Sequence, residues 1–460
     1  CILDRNGNVL VSNRATYNIV IINYVLANTG AANENILKLL QMCEQLGIEC
    51  QSHFPVTNTR PYEYDMQSLG TTWQTYFRQF LNNRDYDLDI SASTLMRNLR
   101  EAYKIPNDWS QEDVYKVISV RYELELRSVA TNLENYMLAE DVDAESLAAV
   151  AELGVPGVIV QSGTVREYKT AYAAHLLGTL GAMDADEWEV YRENDDYNMN
   201  AMIGKSGIEK AFEEYLHGTD GSMRVTYDGA GNVTSTEYLT EPTRGADVYL
   251  TVDIGLQRTA LEALNAQLEA VGAQCGATVA LDPASGEVLV CLSLPTYSQE
   301  QYKNDWHALS SADGAPLFNR ATEGRYAPGS IMKLSTAVAA LEEGVITPQT
   351  TVTDEGVYTY YDDFQPECWL WGRRHETHGS QTVRSAIMNS CNYFFFEVGR
   401  QTGIDKLNEW SLKLGFGQKA GIELRESEPV LAGRAERRER GEYWGAAVPQ
   451  KLLLCALWAG

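Results

Sequence analysis

The sequence predicts a multidomain α+β protein, and three observations carry that expectation. At 460 residues, 44% of them hydrophobic and 10% aromatic, the chain has the length for two or three domains and the composition of an ordinary globular protein. A turn-forming stretch, Glu241-Pro242-Thr243-Arg244-Gly245, marks a boundary, with domains expected over 1–245 and 246–460. Beyond it a one-sided apolar helix, an antiparallel hairpin and a strongly apolar helix follow in order, as in helices packed on an antiparallel sheet.

The elements are expected as follows. Ile2 to Asp4 and Val9 to Val11 flank Asn6-Gly7, a favoured two-residue hairpin turn, so the chain starts inside a β-structure and an upstream segment is expected to have been cut away. The longest apolar patch, Tyr17 to Ala27, is strand-length. From Asn33 to Leu153 the sequence turns helical and charged, a helical insertion over about 30–160, with Asp143 as N-cap of the helix that ends at Gly154. Val158 to Val160 reads as a strand, Ala171 to Leu180 as a short helix, and the segment after Gly204-Lys205-Ser206-Gly207 as an amphipathic helix to Leu216. Val225 to Tyr227 pairs with Asn232 to Ser235 around Asp228-Gly229. After the boundary, Val248 to Val252 is a strand and Asp253 an N-cap; Leu256, Ala260, Leu264, Leu268 and Val271 form one apolar helix face. Ala277 to Leu281 pairs with Val288 to Leu292 across Asp282-Pro283-Ala284-Ser285-Gly286.

Composition excludes some functions. A formal net charge of −26 argues against holding nucleic acid or an anionic membrane surface by charge. No apolar run is long enough for a signal peptide or a membrane-crossing helix. The eight cysteines lack a C-x-x-C pattern and do not read as a disulfide framework.

The chemistry concentrates in Arg325-Tyr326-Ala327-Pro328-Gly329-Ser330-Ile331-Met332-Lys333. Pro328-Gly329 breaks the preceding structure, and a helix is expected from Ser330 to Glu343, closed by Gly344. Three residues apart on a helix, the Ser330 hydroxyl and Lys333 ammonium share a face within hydrogen-bond reach. A serine becomes a nucleophile when a base takes its proton, and a lysine serves as that base when burial lowers its pKa. Ile331, Met332, Leu334, Ala337, Val338, Ala339 and Leu341 predict a core helix, whose N-terminus would favour an oxyanion. The same letters fit an N-cap serine with an unrelated lysine. Ser390-Cys391-Asn392 forms a second polar cluster, between a helix containing Val383 to Met388 and the aromatics Tyr393 to Phe396. These residues fit a helix boundary, and equally a hydroxyl that relays a proton beside an amide that holds a peptide group.

Ser330-x-x-Lys333 followed about 60 residues later by Ser390-x-Asn392 resembles the penicillin-recognising serine enzymes. Further segments make the chain similar to the class B penicillin-binding proteins. Asp4-Arg5-Asn6-Gly7, Arg166 with Tyr168, His175-Leu176-Leu177-Gly178 and Gly204-Lys205-Ser206-Gly207-Ile208-Glu209 resemble that family's elongated, non-catalytic pedestal. Gly276-Ala277, Asp282-Pro283, Asn319-Arg320-Ala321 and Gly415-Phe416-Gly417 resemble its transpeptidase domain.

The resemblance implies Ser330 as acylated nucleophile, Lys333 as base, Ser390 as proton relay and Asn392 as substrate contact, in a peptidoglycan D,D-transpeptidase with no catalytic cofactor. It implies a stem peptide ending in D-Ala-D-Ala as donor, β-lactams as inhibitors, and a membrane glycosyltransferase partner. It also implies a position on the extracytoplasmic face of the bacterial membrane, held by an anchor that would precede Cys1. The family's third motif, Lys-Thr/Ser-Gly, is expected after Asn392 and has no match there. Lys205-Ser206-Gly207 fits the letters but lies in the pedestal. The catalytic domain is therefore expected to be incomplete at Gly460, poorly soluble and weakly acylated as it stands, and an inactive cell-wall scaffold is the rival reading. Some members carry zinc beside the second motif, and the resemblance implies Asp354, Cys368, His378 and Cys391 as its ligands, with His375 as rival imidazole. A Cys368–Cys391 disulfide, or a buried free Cys391 with a surface Cys368, are the alternatives.

Overall fold

The computed structural model describes residues 1–431, apart from 28, 68, 130–134, 195, 196, 198–200, 229–232, 327 and 363. It divides into two units. The first comprises Cys1–Ala171, Leu180–Ile203 and Phe212–Asp253; the second comprises Tyr172–Thr179, Gly204–Ala211 and the chain from Ile254 onward.

The first unit is organised on the strand Val9–Ile21. Along one edge it pairs antiparallel with Val158–Tyr168, which runs well past the three residues expected. Along the other it pairs with Ile2–Leu3 and then with Tyr136–Val142. Ile2–Leu3 also pairs, in parallel, with Val248–Tyr249. The first hairpin forms with a longer loop than the two-residue turn expected. Asp4, fully buried, accepts the N–H groups of Asn6 and Asn8 at 2.9 and 2.8 Å, and Gly7 takes a φ of +82°. An aspartate satisfying the backbone ahead of it organises such a loop better than a tight turn would. The apolar run from Tyr17 splits: the strand stops at Ile21 and a short helix, Asn23–Ala27, follows.

The helical stretch holds Ala32–Gln45, Thr71–Asn83, Ala92–Ala102, Gln111–Val129 and Ala144–Glu152. Asp143 caps the last of these by accepting from Glu145 and Ser146 N–H. Ile36, Leu39, Leu40 and Cys43 recur at helical spacing and are buried with Leu95, Leu99, Val117, Ile118 and Tyr122 against Ile19, Ile21 and Leu138 of the sheet. Each such leucine, isoleucine or valine side chain contributes roughly 1.5–3 kcal/mol when fully buried. The strand Tyr136–Val142, inside the stretch read as helical, is a departure. Its Leu, Ala and Glu suit a helix, and pairing with Val9–Ile21 overrides that preference. The second hairpin pairs Ser222–Tyr227 with Val233–Thr240; Gly229 of the turn expected at Asp228-Gly229, and Asn232 expected to open the returning strand, lie outside the described residues.

In the second unit the helix Ile254–Val271 lies against the hairpin Gly276–Leu281 and Val288–Leu294. Gln257, fully buried, fastens the two: its amide donates to Cys291 O at 2.8 Å and accepts from Cys291 N at 3.0 Å. The apolar stripe is narrower than expected, since Leu256 and Val271 at its ends are exposed. The predicted helix over 171–180 contracts to Ala174–Leu177, and that after Gly207 breaks into Gly207–Ala211 and Glu213–Leu216. Lys205-Ser206-Gly207 is a packing element. Gly178 and Gly207 have φ of +85° and +59°, and a Cβ on Gly178 would lie 1.8 Å from Ser206 O, so only glycine lets these backbones meet. The helices Lys333–Glu342, Asn392–Thr402 and Ile404–Lys413 pack on one another, with Phe394, Phe395, Ala340 and Ala386 in their core. No helix among the described residues is long and apolar enough to cross a membrane.

Candidate active site

Gly329, at φ +61°, opens a 3-10 turn, Gly329–Met332, and the α-helix begins only at Lys333. Ser330 therefore sits in the tighter turn ahead of the helix predicted to start with it. It is exposed, whereas Lys333 is buried to 3% of its accessible surface. The helix ends as expected, with Gly344 just past its cap at φ +67°. Its apolar surround is incomplete, because Ile331 and Leu334 are exposed at 71% and 57% among the described residues. Ser335 and Thr336 are buried instead, so the turn of the helix, rather than apolar content, decides which side faces the core.

The expected direct pair of Ser330 and Lys333 is replaced by a relay. The Lys333 ammonium donates to Ser390 O at 2.8 Å, Ser390 Oγ at 2.9 Å and Asn392 Oδ1 at 2.6 Å, which occupies all three of its protons. Ser390 Oγ in turn lies 3.3 Å from Ser330 Oγ. Burial pushes the Lys333 pKa down to about 8, against the opposing pull of negative charge on the sulfurs of Cys368 and Cys391. The Phe395 ring, 5.7 Å from Nζ, forms part of the wall.

Ser390 owes its place to the end of the helix Val383–Met388. Cys391 N donates to Ala386 O at 2.9 Å and Ser390 N to Ile387 O at 3.2 Å, the paired bonds of a Schellman closure. Ser390 thus occupies the position after the C-cap where glycine is usual, at φ +48°. That left-handed residue lets both its carbonyl and its hydroxyl meet Lys333.

Asp354, Cys368, His378 and Cys391 converge beside this turn, with their donor atoms all within 4.8 Å of one another. His378 Nδ1 lies 2.7 Å from Asp354 Oδ2 and 3.4 Å from Cys368 Sγ. Cys391 Sγ lies 3.7 Å from Asp354 Oδ2 and 4.0 Å from Cys368 Sγ. Both cysteines are buried free thiols, which separates Cys368 from the surface position allowed for it and the pair from a disulfide. Burial opposes ionisation of Asp354, but N–H groups of His378 and Gly356 hold its carboxyl below the usual range. The hydrogen bond from Cys391 pulls the Cys368 thiol below its ordinary pKa. His378 Nε2 is buried without a partner among the described residues. His375 is exposed, caps the helix Trp369–Arg374 and takes no part.

A tetrahedral zinc ion held by two thiolates, an imidazole and a carboxylate separates its donors by roughly 3.3–3.8 Å. Three of the four distances above lie within a few tenths of that range, and the shorter Asp354–His378 contact is a hydrogen bond. The donor set fits such an ion. Sequence reasoning passed over Gln381 and Asn389, which hydrogen-bond to each other at 3.0 Å just ahead of Ser390; nothing but their place before the second motif could have pointed to them.

The model of the penicillin-binding protein dimerisation domain matches residues 1–250, and that of the penicillin-binding protein transpeptidase domain residues 276–431. The peptidoglycan D,D-transpeptidase MrdA of Acinetobacter baumannii is 30% identical over 402 residues, 85% of this chain and 56% of that protein. Its namesake from Escherichia coli K12 is 29% identical over 467 residues, 96% of this chain and 66% of that protein, so the chain spans less than two thirds of either relative. Among solved structures, the penicillin-binding protein PBP2 of Helicobacter pylori matches with a TM-score of 0.64 at 19% identity, over 100% of this chain and 72% of that one. A two-domain fold with this order of domains and this Ser330–Lys333–Ser390–Asn392 cluster places the chain in the class B penicillin-binding protein family.

Proposed function

We propose that this protein is a peptidoglycan D,D-transpeptidase that works through a serine acyl-enzyme. The observation that carries the reading is the continuous contact from exposed Ser330 through Ser390 to buried Lys333. Ser330 Oγ attacks the carbonyl of the penultimate D-alanine, and its proton moves to neutral Lys333, directly or by way of the Ser390 hydroxyl, whose rotor can accept as well as donate. The amide bond breaks, the departing D-alanine amine takes the proton back through Ser390, and the acyl group remains on Ser330. An amine of a second stem peptide then attacks the ester, leaving a new amide crosslink and a free hydroxyl. Asn392, whose Oδ1 is fixed by Lys333, offers its amide N–H to the substrate's peptide carbonyl.

The reading divides the chain into a non-catalytic part over 1–245 and a catalytic part over 246–460. It sets the protein at the extracytoplasmic face of the membrane, beside a membrane glycosyltransferase of the elongation or division machinery. Asp354, Cys368, His378 and Cys391 would hold a structural zinc ion. When bound, zinc would neutralise donors that burial otherwise discourages from ionising together. These four residues tie the segment around Cys368 and His378 to the turn that presents Ser390.

Fluorescent penicillin followed by intact-mass and peptide mapping tests the function. One adduct on Ser330 of the full-length protein, absent in Ser330→Ala, is expected. A folded protein without an adduct would favour the non-catalytic scaffold.

A further inference from the structure

We propose that the carboxamide pair Gln381–Asn389 positions Ser390 for proton transfer, a role that rests on the transpeptidase reading above. A serine at φ +48° pays for a conformation that glycine adopts freely, so something must hold it there. The Schellman bonds fix the backbone path, but they do so equally in helices that end in mobile glycine. What distinguishes this turn is the residue just before it. Asn389 Nδ2 donates to Gln381 Oε1 at 3.0 Å, while Trp369 Nε1 donates to Asn389 O at 3.1 Å. Gln381, 5% exposed, is itself anchored: its Nε2 donates to His378 O at 2.7 Å and Ser380 O at 3.2 Å.

The amide of Gln381 therefore has one orientation, with its oxygen presented to Asn389. Asn389 is held through its side chain and its carbonyl, and the next residue is Ser390, whose own carbonyl and hydroxyl are 2.8 and 2.9 Å from Lys333 Nζ. Neither carboxamide has a hydrogen bond to Ser330, Lys333 or Asn392 among those described, so both act through Ser390 as positioning residues. Without the brace Ser390 can relax toward ordinary φ, which swings its hydroxyl out of the line between Ser330 and Lys333. The brace uses none of the donor atoms of the metal-fitting cluster, although it is anchored on the backbone carbonyl of one of its residues, His378.

The test is penicillin acylation of the full-length wild-type protein, Gln381→Ala, Asn389→Ala and the double variant, resolving the non-covalent dissociation constant from the acylation rate constant, with a melt on each. Either single change is expected to slow the acylation rate constant about tenfold with the dissociation constant unchanged, the scale of one lost hydrogen bond. The double variant should be no slower than either single one, because both remove the same link. Folded single variants that acylate at the wild-type rate, or two losses that multiply, would overturn the proposal. If Gln381→Ala does not melt cooperatively, Asn389→Asp, nearly isosteric and lacking the donor, takes its place under the same criteria. Absence of acylation in the wild type would count against the transpeptidase reading, whereas normal wild-type acylation with indifferent variants counts against the brace alone.

Discussion

As an ammonium, Lys333 has three protons and three acceptors for them, Ser390 O, Ser390 Oγ and Asn392 Oδ1, which hold its side chain in place. Its charge is the variable. Burial sets the pKa near 8, and only the neutral amine can accept the Ser330 proton. Below that value the acylation rate constant should rise about tenfold per pH unit, levelling above it as Lys333 becomes fully neutral. A stopped-flow pH profile with a chromogenic cephalosporin checks the sign, and a rate that falls between pH 6 and 8 would assign the base elsewhere. Lys333→Ala should slow acylation by at least ~10²-fold, the lower scale for removing an acid–base group. Its serine partner at position 390 was legible as a letter, but not as a left-handed residue at the end of a helix.

Two short elements make sharper demands on their sequence than the long helices do. The turn at Gly178 and the start of the helix Gly207–Ala211 approach so closely that a Cβ at position 207 would meet Gly178 N at 2.5 Å. Gly178→Ala or Gly207→Ala should cost roughly 3 kcal/mol or more, since backbone cannot yield as a flexible side chain can. A denaturant midpoint indistinguishable from wild type would show that the turn opens freely. The segment between Asp354 and His378 makes the second demand. Tyr358 OH bonds to Glu397, which Arg400 also holds at 2.7 Å, and the four metal-fitting donors close the other side. Metal analysis of protein purified without chelator is expected to give about one zinc per chain. Both chelation and Cys391→Ser should lower the melting temperature. A metal-free protein whose melt is unaffected by chelator would leave those donors as a hydrogen-bonded cluster.

For the whole molecule the decisive sequence quantity is charge. At −26 the chain should repel nucleic acid, and no retention on a DNA column at low salt is expected, where a cationic protein would bind and elute with rising salt. The elements read from periodicity are followed most faithfully at Ile254–Val271 and the hairpin after it. They depart where pairing with a distant strand decides, as at Tyr136–Val142. The division of the chain into units has the same character. The segments Tyr172–Thr179 and Gly204–Ala211 join the second unit from inside the first part of the sequence, and the two close glycines that unite them lie 29 residues apart (207 − 178).

By itself the sequence determined which side chains are available for chemistry: a serine and a lysine one turn apart after a Pro-Gly break, and a Ser-x-Asn after an apolar helix. Reactive groups and helix ends are written within a few neighbouring residues, where propensity and capping act. Only the tertiary structure decided that Lys333 reaches Ser390, 57 residues away, and that Ser330 is bonded to Ser390 rather than to Lys333. The packing also chose His378 over His375 beside the two thiols, and two carboxamides that carry no motif as the brace of the turn. Each of those outcomes depends on how separate helices and loops are packed, and local periodicity carries no record of the partner across the core.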